Sequence, residues 1–242
     1  MSVQYIFLII AFLIININCY KKCDSFKQND QNLYGIDISH YQDDVKQIDW
    51  KQVKDNTNPK ISFAYVRTTM GKNGKDKAFT YNFNQAQING IKVGVYHYFR
   101  PNESAIEQFE NFVKNTSNIG DLPPVLDVEE IGNRNGKQLR EEISIFLNLI
   151  EQEFNTKPIL YAHQRFYNTY LRNKFNNYQI WIARQNGSKN KPENNSMKHE
   201  PIMFDSKCPL IWQYSGTGTI NGIVGYVDLN VAYNSFWTVD YQ

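Results

Sequence analysis

Short apolar runs recur along the chain, and the stretches between them place apolar residues three and four positions apart. Residues 33–39, 61–69, 92–99, 123–129, 158–163, 179–184, 210–216 and 225–232 are rich in Val, Ile, Tyr or Phe and are bounded by turn residues. Such runs read as β-strands. Helical spacing fills 48–56, 77–90, 102–115, 136–154 and 164–173. The longest, 136–154, sets Leu139, Ile143, Phe146, Leu147, Ile150 and Phe154 on one face, the stripe of a helix packed on a sheet. Strands alternating with helices signal right-handed βαβ units and a parallel sheet. Eight strand candidates in a chain of 242 residues predict one closed barrel rather than two domains. The last three strands differ, because Asn, Gly, Ser and Pro fill their gaps and no amphipathic helix separates 211–216 from 225–232. The barrel is expected to be irregular there. The chain shows no internal repeat and no interdomain linker.

Charge narrows the partners. The formal charge of +2, with both signs mixed along the chain, provides no basic stripe for nucleic acid. The 16 Tyr and 15 Phe exceed what a core demands only in part; tyrosines also line polar clefts, although packing accounts for most of them. Residues 1–19 carry no Lys, Arg, Asp or Glu, and their apolar stretch from about Tyr5 to Ile15 has the length of a signal-peptide core rather than a bilayer span. A retained anchor is the rival reading. The expected organisation is a signal peptide at 1–19, a polar arm at 20–32 and one barrel domain at 33–242. The protein is therefore expected in the extracellular space or a phagosomal or lysosomal lumen, without stable membrane association after cleavage, and as a monomer. Of Cys19, Cys23 and Cys208, the first leaves with the signal, and a Cys23–Cys208 disulfide suits an oxidising compartment. Sequons start at Asn102, Asn115, Asn186 and Asn194. Four scattered His and two distant Cys match no metal-ligand spacing, so no metal or cofactor is expected.

Acids stand at predicted strand ends. Asp127, Glu129 and Glu130 crowd the end of "PPVLDVEE"; Asp37 sits in "YGIDIS" and Asp228 in "GYVDLNVA". Strand period two puts Asp127 and Glu129 on one face and leaves Glu130 in the loop. Their Cα atoms are about 6–7 Å apart by the strand rise. That spacing suits a bond-cleaving pair in which crowding keeps one carboxyl protonated. Any one such Asp often caps a helix or pairs with a basic residue. Acids on three strands that a barrel brings to one end are harder to explain that way.

In chain order, "YGIDISHYQ", "FAYVRTTMG", "VGVYHYF", "PVLDVE", "PILYAH", "IWIAR" and "IWQYSGTGTINGIVGYVDLNVA" resemble the glycoside hydrolase family 25 lysozymes, the Chalaropsis type or N,O-diacetylmuramidases. The resemblance covers about residues 33–236. It implies an α/β fold: an irregular, flattened, TIM-barrel-like (β/α)-type barrel with five β/α units and three further strands. It also implies cleavage of the β-1,4 bond between N-acetylmuramic acid and N-acetylglucosamine in bacterial peptidoglycan. By that resemblance Glu129 is the proton donor, and Asp127, Asp37 and Asp228 complete the site. Two departures stand out. Thr69-Met70-Gly71 replaces a common Thr-Glu-Gly, and Arg184-Gln185 stands where an aromatic is common.

Asp127 is then either a nucleophile or a group that orients the substrate's own N-acetyl group; the resemblance leans towards the second. Tyr65, Tyr96, Tyr98, Tyr161, Trp181 and Tyr214 are candidates for sugar stacking, with core packing as the alternative, and Arg67 and Gln213 for polar contacts to substrate. His97 is open between a packed histidine and a ligand of substrate. A chitinase-like glycosidase is the enzyme alternative, yet its acid-rich strand motif needs acids where Leu122 and Val125 stand. An inactive secreted glycan-binding protein is the other, and it has no need to keep all the acids.

Overall fold

The computed structural model describes residues 32–187 and 200–232. Within them the strands are β1 (Leu33–Ile38), β2 (Ile61–Met70), β3 (Gly74–Lys75), β4 (Lys92–Tyr98), β5 (Val125–Asp127), β6 (Ile159–His163), β7 (Gln179–Ala183), β8 (Ile211–Gly218) and β9 (Val227–Ala232). The helices are α1 (Trp50–Asp55), α2 (Phe79–Ile88), α3 (Ala105–Asn115), α4 (Gly136–Phe154) and the short α5 (Gln164–Phe166).

Strand order is β1-β9-β8-β7-β6-β5-β4-β2-β3, and β1 also pairs with β2. Eight strands therefore close into a barrel, with the two-residue β3 hanging on β2 as an antiparallel edge. Pairing is parallel from β1 through β2, β4, β5, β6 and β7 to β8. Of the eight barrel strands only β9 runs against its neighbours, β8 and β1. Five β/α units followed by three strands match the expectation. The irregularity falls where polar gaps replaced helices in the sequence, since a two-stranded return needs no crossover helix.

Period-two alternation builds two cores. Outward residues such as Ile36, Val66, Val95, Leu126, Leu160, Ile182 and Leu229 pack with the helices. Inward residues, among them Phe63, Tyr65, Val125, Ile159, Trp181 and Ile211, fill the lumen. Leu139, Ile143, Phe146, Leu147 and Ile150 of α4 are buried as their spacing predicts. Phe154 is partly buried against them. The helix starts where Asn135 accepts from the N–H groups of Lys137 and Gln138, and the Gln138 side chain accepts from Asn135 N–H, a reciprocal cap.

Three elements depart from expectation. The strand expected over 123–129 is only Val125–Asp127, because Pro123 and Pro124 carry no N–H for a ladder and Glu129 already lies past the strand. The helix expected over 164–173 is one α turn followed by a wider π turn, Tyr167–Leu171. β3 had no apolar run to announce it. Residues 1–31, including the expected signal peptide, most of the polar arm and Cys23, lie outside the described residues. So does the end of the expected barrel domain, 233–242. Among the described residues, no helix is long and apolar enough to cross a membrane.

Candidate active site

At the C-terminal end of the parallel strands a cleft opens between the loop after β1 and the ends of β2, β4, β5, β6, β8 and β9. Its empty space is about 680 Å³ with its open mouth included, the scale of a small-ligand pocket. Asp37, Asp127, Glu129 and Asp228 all line it. Barrel closure gathers them: Asp37 faces Asp228 directly in the β1–β9 ladder. Asp127 sits between Tyr98 on β4 and Tyr161 on β6.

The acids live in different surroundings. Asp37 is held by Gln213, whose Nε2 donates to both carboxylate oxygens at 3.3 and 3.0 Å, and by Asn230 Nδ2 at 2.7 Å. Both amides are themselves oriented. Tyr161 O–H donates to Gln213 Oε1 at 3.1 Å, and the Trp181 indole N–H donates to Asn230 Oδ1 at 3.0 Å. An indole can only donate, so the Asn230 amide must turn its NH₂ toward Asp37. Asp127 has no such cradle: its Oδ1 is buried without a hydrogen-bond partner among the described residues. Glu129, past the strand end, keeps a third of its side chain exposed, and its Oε1 lies 3.6 Å from His163 Nε2.

Burial disfavours ionised carboxyls in this cluster. It raises Asp37 to about 6 against the pull of the Asn230 and Gln213 bonds, and the charge of Glu129 adds to the rise. Burial raises Asp228 to about 8, helped by Asp37 and Glu129. Asp127 is pushed well above the ordinary carboxyl range by burial, then by Glu129 and Asp37, with Arg67 pulling weakly the other way. Protons are thus shared across the cluster. Burial also lifts Tyr98 to about 12, so its hydroxyl stays neutral at ordinary pH.

Of the expected substrate contacts, Arg67, Tyr96, Tyr98, Tyr161, Trp181 and Gln213 line the cleft. Tyr161 and Trp181 form its floor, nearly closed to solvent, and their polar atoms orient the Asp37 cradle. Tyr65 and Tyr214 do not reach the cleft. Tyr65 points inward one layer too deep, where it packs over Gly94 of β4 so closely that a Cβ there would clash with the ring. Tyr214 neighbours Gln213, so alternation turns it outward, and it joins the core between sheet and helices. His97 also faces outward. It is buried, bonded to Thr69 Oγ1 at 2.8 Å and Gln108 Oε1 at 3.2 Å, and stacked on Phe146. It is the packed histidine of the two readings.

Arg67 is the single cation among the described lining residues. Its Nε and Nη2 meet Asp76 Oδ2 at 3.1 and 3.0 Å. Asp76 Oδ2 also accepts from His40 N–H at 2.9 Å, which ties the loop after β1 to β2. The guanidinium lies 5.5 Å over the exposed Tyr41 ring. Where the sequence departs from the expected motifs, Met70 ends β2 half-buried. Arg184 Nη1 is held by Gln164 Oε1 at 3.3 Å and by the Glu200 carbonyl at 2.5 Å. Gln185 approaches Gly216, which also abuts the Asp228 carboxylate.

Sequence reading missed Asn230, His163, Tyr41, Gln42 and Asp76. Two were within reach of the period-two rule: Asn230 is two residues past Asp228, and His163 two past Tyr161. The other three are positioned by loops, which carry no periodicity to read.

The model of glycosyl hydrolases family 25 matches residues 36–223. The chain is 36% identical over 203 residues to the uncharacterized protein YegX of Escherichia coli K12, covering 82% of this chain and 69% of that one. It is 31% identical over 213 residues to Lysozyme M1 of Streptomyces globisporus, covering 81% and 66%. The structure of a family 25 glycosyl hydrolase from Bacillus anthracis superposes with a TM-score of 0.73 at 28% identity, over 87% of this chain and 95% of that one.

Proposed function

The chain belongs to glycosyl hydrolases family 25 and is a glycoside hydrolase of the lysozyme type, and on that premise we propose that the four gathered acids cleave the β-1,4 bond between N-acetylmuramic acid and N-acetylglucosamine in peptidoglycan. The observation that carries the residue roles is Asp127: a buried carboxyl with an unpartnered oxygen, next to the more exposed Glu129. A buried polar atom without a partner is costly, and a substrate group that supplies the partner recovers that cost.

In this reading Glu129 donates its proton to the glycosidic oxygen as the C–O bond breaks. The substrate's acetamido oxygen closes on the anomeric carbon, and its N–H supplies Asp127 Oδ1 with the missing bond. Asp127 acts as a carboxylate, its proton held by Asp37 or Asp228, and its negative charge offsets the positive charge on the closing ring. Glu129, now a carboxylate, takes a proton from the water that opens the ring, and the donor is restored. Asp37, fixed by Gln213 and Asn230, and Asp228 opposite it share protons with Asp127. They keep the cluster from carrying four charges at once. Tyr96 and Tyr98 supply neutral hydroxyls to the sugar.

Purified peptidoglycan digested with the protein tests this by mass spectrometry of the new reducing ends. Muramic acid ends are expected. Glucosamine ends, or release from chitin at a comparable rate, would favour the chitinase-like reading; binding without new ends would favour the lectin.

We further propose secretion, with residues 1–19 removed as a signal and 20–32 a polar arm ahead of the barrel, and delivery to the extracellular space or a phagosomal or lysosomal lumen. A Cys23–Cys208 bridge and a monomeric enzyme complete this proposal. N-terminal sequencing that starts at Met1, or two reactive thiols in denatured secreted protein, would count against it.

A further inference from the structure

His163 closes β6 two residues after Tyr161, so alternation turns it to the cleft side of the sheet. Its Nε2 stands 3.6 Å from Glu129 Oε1, with half of its side chain in solvent. No step of the hydrolysis above uses it. We propose that His163 is a positioning residue whose imidazolium charge holds Glu129 toward its carboxylate form and so sets how far toward neutral pH the enzyme keeps its proton donor loaded. The inference rests on Glu129 being that donor.

The groups around Glu129 make the charge consequential. Asp127 from β5, Asp37 from β1 and Asp228 from β9 each sense the charge of Glu129. Tyr98 from β4 and Tyr161 from β6 sense it as well, but as neutral hydroxyls. Arg67 on β2 is engaged with Asp76. Among the described residues His163 is therefore the one cationic group in ion-pair range of Glu129. On its own side the imidazole meets the Tyr161 ring, 6.2 Å between centroids. The Arg184 guanidinium from the end of β7 is held on Gln164 and Glu200.

Neighbouring acids drive a carboxyl toward its protonated form, and a cation within about 4–6 Å drives it back. The protonated imidazole of His163 supplies that cation on the cleft side of the sheet. It opposes the acid cluster there, and it stabilises Glu129 in the half of the cycle where Glu129 is ionised and acts on water.

The test is the pH profile of kcat/KM for wild type, His163→Asn and His163→Lys. Without the cation the upper limb should move to higher pH by about half a unit to one unit, a reduced shift for a half-exposed pair. Lys, a permanent cation, should leave it at or below the wild-type position. The Asn shift should shrink in about 1 M salt. A merely structural role would scale activity equally at every pH. The ¹³C resonance of the Glu129 carboxyl, titrated without substrate, should move in the same direction. That readout survives if the protein fails to cleave peptidoglycan, in which case the functional reading falls and the charge pairing is still decided. A His163→Asn protein whose upper limb and Glu129 resonance both titrate as in wild type would overturn the inference.

Discussion

The β4 wall of the barrel separates two buried polar clusters that follow opposite rules. On its outer face His97 has both ring nitrogens paired, to Thr69 at 2.8 Å and Gln108 at 3.2 Å, with a phenyl ring stacked on it. On its inner side, one strand over, Asp127 keeps an oxygen with no partner, and Asp37 and Asp228 face each other across a ladder. Burial penalises charge in both places: it lowers His97 to about 4 and raises Asp37 to about 6 and Asp228 to about 8. The histidine is neutral and satisfied, so it serves the fold. The acids are crowded, and Asp127 is incompletely satisfied, which is how a site stays poised for a ligand at the expense of stability.

The comparison breaks most visibly at Glu129. Glu129→Gln should cut turnover on peptidoglycan by about 10²–10⁴ while thermal unfolding stays near wild type, because a third of that side chain is already in solvent. An active Glu129→Gln enzyme would detach the acid cluster from the chemistry.

Next in size is stability against pH, where the two clusters carry opposite signs. For His97 the folded state binds its proton only near pH 4, the unfolded chain near 6.5. Stability is therefore lost as pH falls from about 6.5 to 4, by roughly 3 kcal/mol at most. For Asp37 and Asp228 the folded state keeps protons that the unfolded chain releases near 3.8. Their contribution is full below that value and is lost as pH rises through about 6 and 8. Chemical denaturation should show His97→Gln with a flatter profile between pH 4 and 6.5. Asp228→Asn should be more stable than wild type at pH 8, by about 2 kcal/mol. An Asp228→Asn protein destabilised at pH 8 would mean that burial and its acidic neighbours do not penalise the Asp228 charge.

These two clusters also show where sequence reading works. Alternation places Asp127 and Glu129 together and opposes Val128 to them; both acids line the cleft and Val128 packs in the outer core. Barrel closure, read from alternating strands and helices, brings Asp37 and Asp228 to the same end. The same rule was underused at Tyr214: Gln213 and Tyr214 are adjacent, so only one can face the cleft. Tyr65 failed for another reason. It has the right parity but the wrong height, and height depends on strand stagger, which no single strand encodes. Tyr41, Gln42 and Asp76 sit on loops tied by long-range bonds, such as Gln42 Nε2 to the Tyr226 carbonyl at 3.3 Å. Pairings of that separation leave no local trace.

A smaller effect sharpens the division between cleft and core. Tyr98→Phe removes a hydroxyl at the cleft and should raise KM several-fold, about 1 kcal/mol for one hydrogen bond. Tyr214→Phe, on the far side of the sheet, should leave KM unchanged. Equal effects from the two would erase the distinction between inward and outward tyrosines.

The central claim is that Asp127 is kept for catalysis and not for the fold. Asp127→Asn, measured for turnover and unfolding on one preparation at pH 7, tests it most directly. The account predicts turnover lower by at least about 10² with an unfolding free energy equal to or above wild type, since a crowded, desolvated carboxyl has been removed. Wild-type turnover, or a protein several kcal/mol less stable, would contradict it.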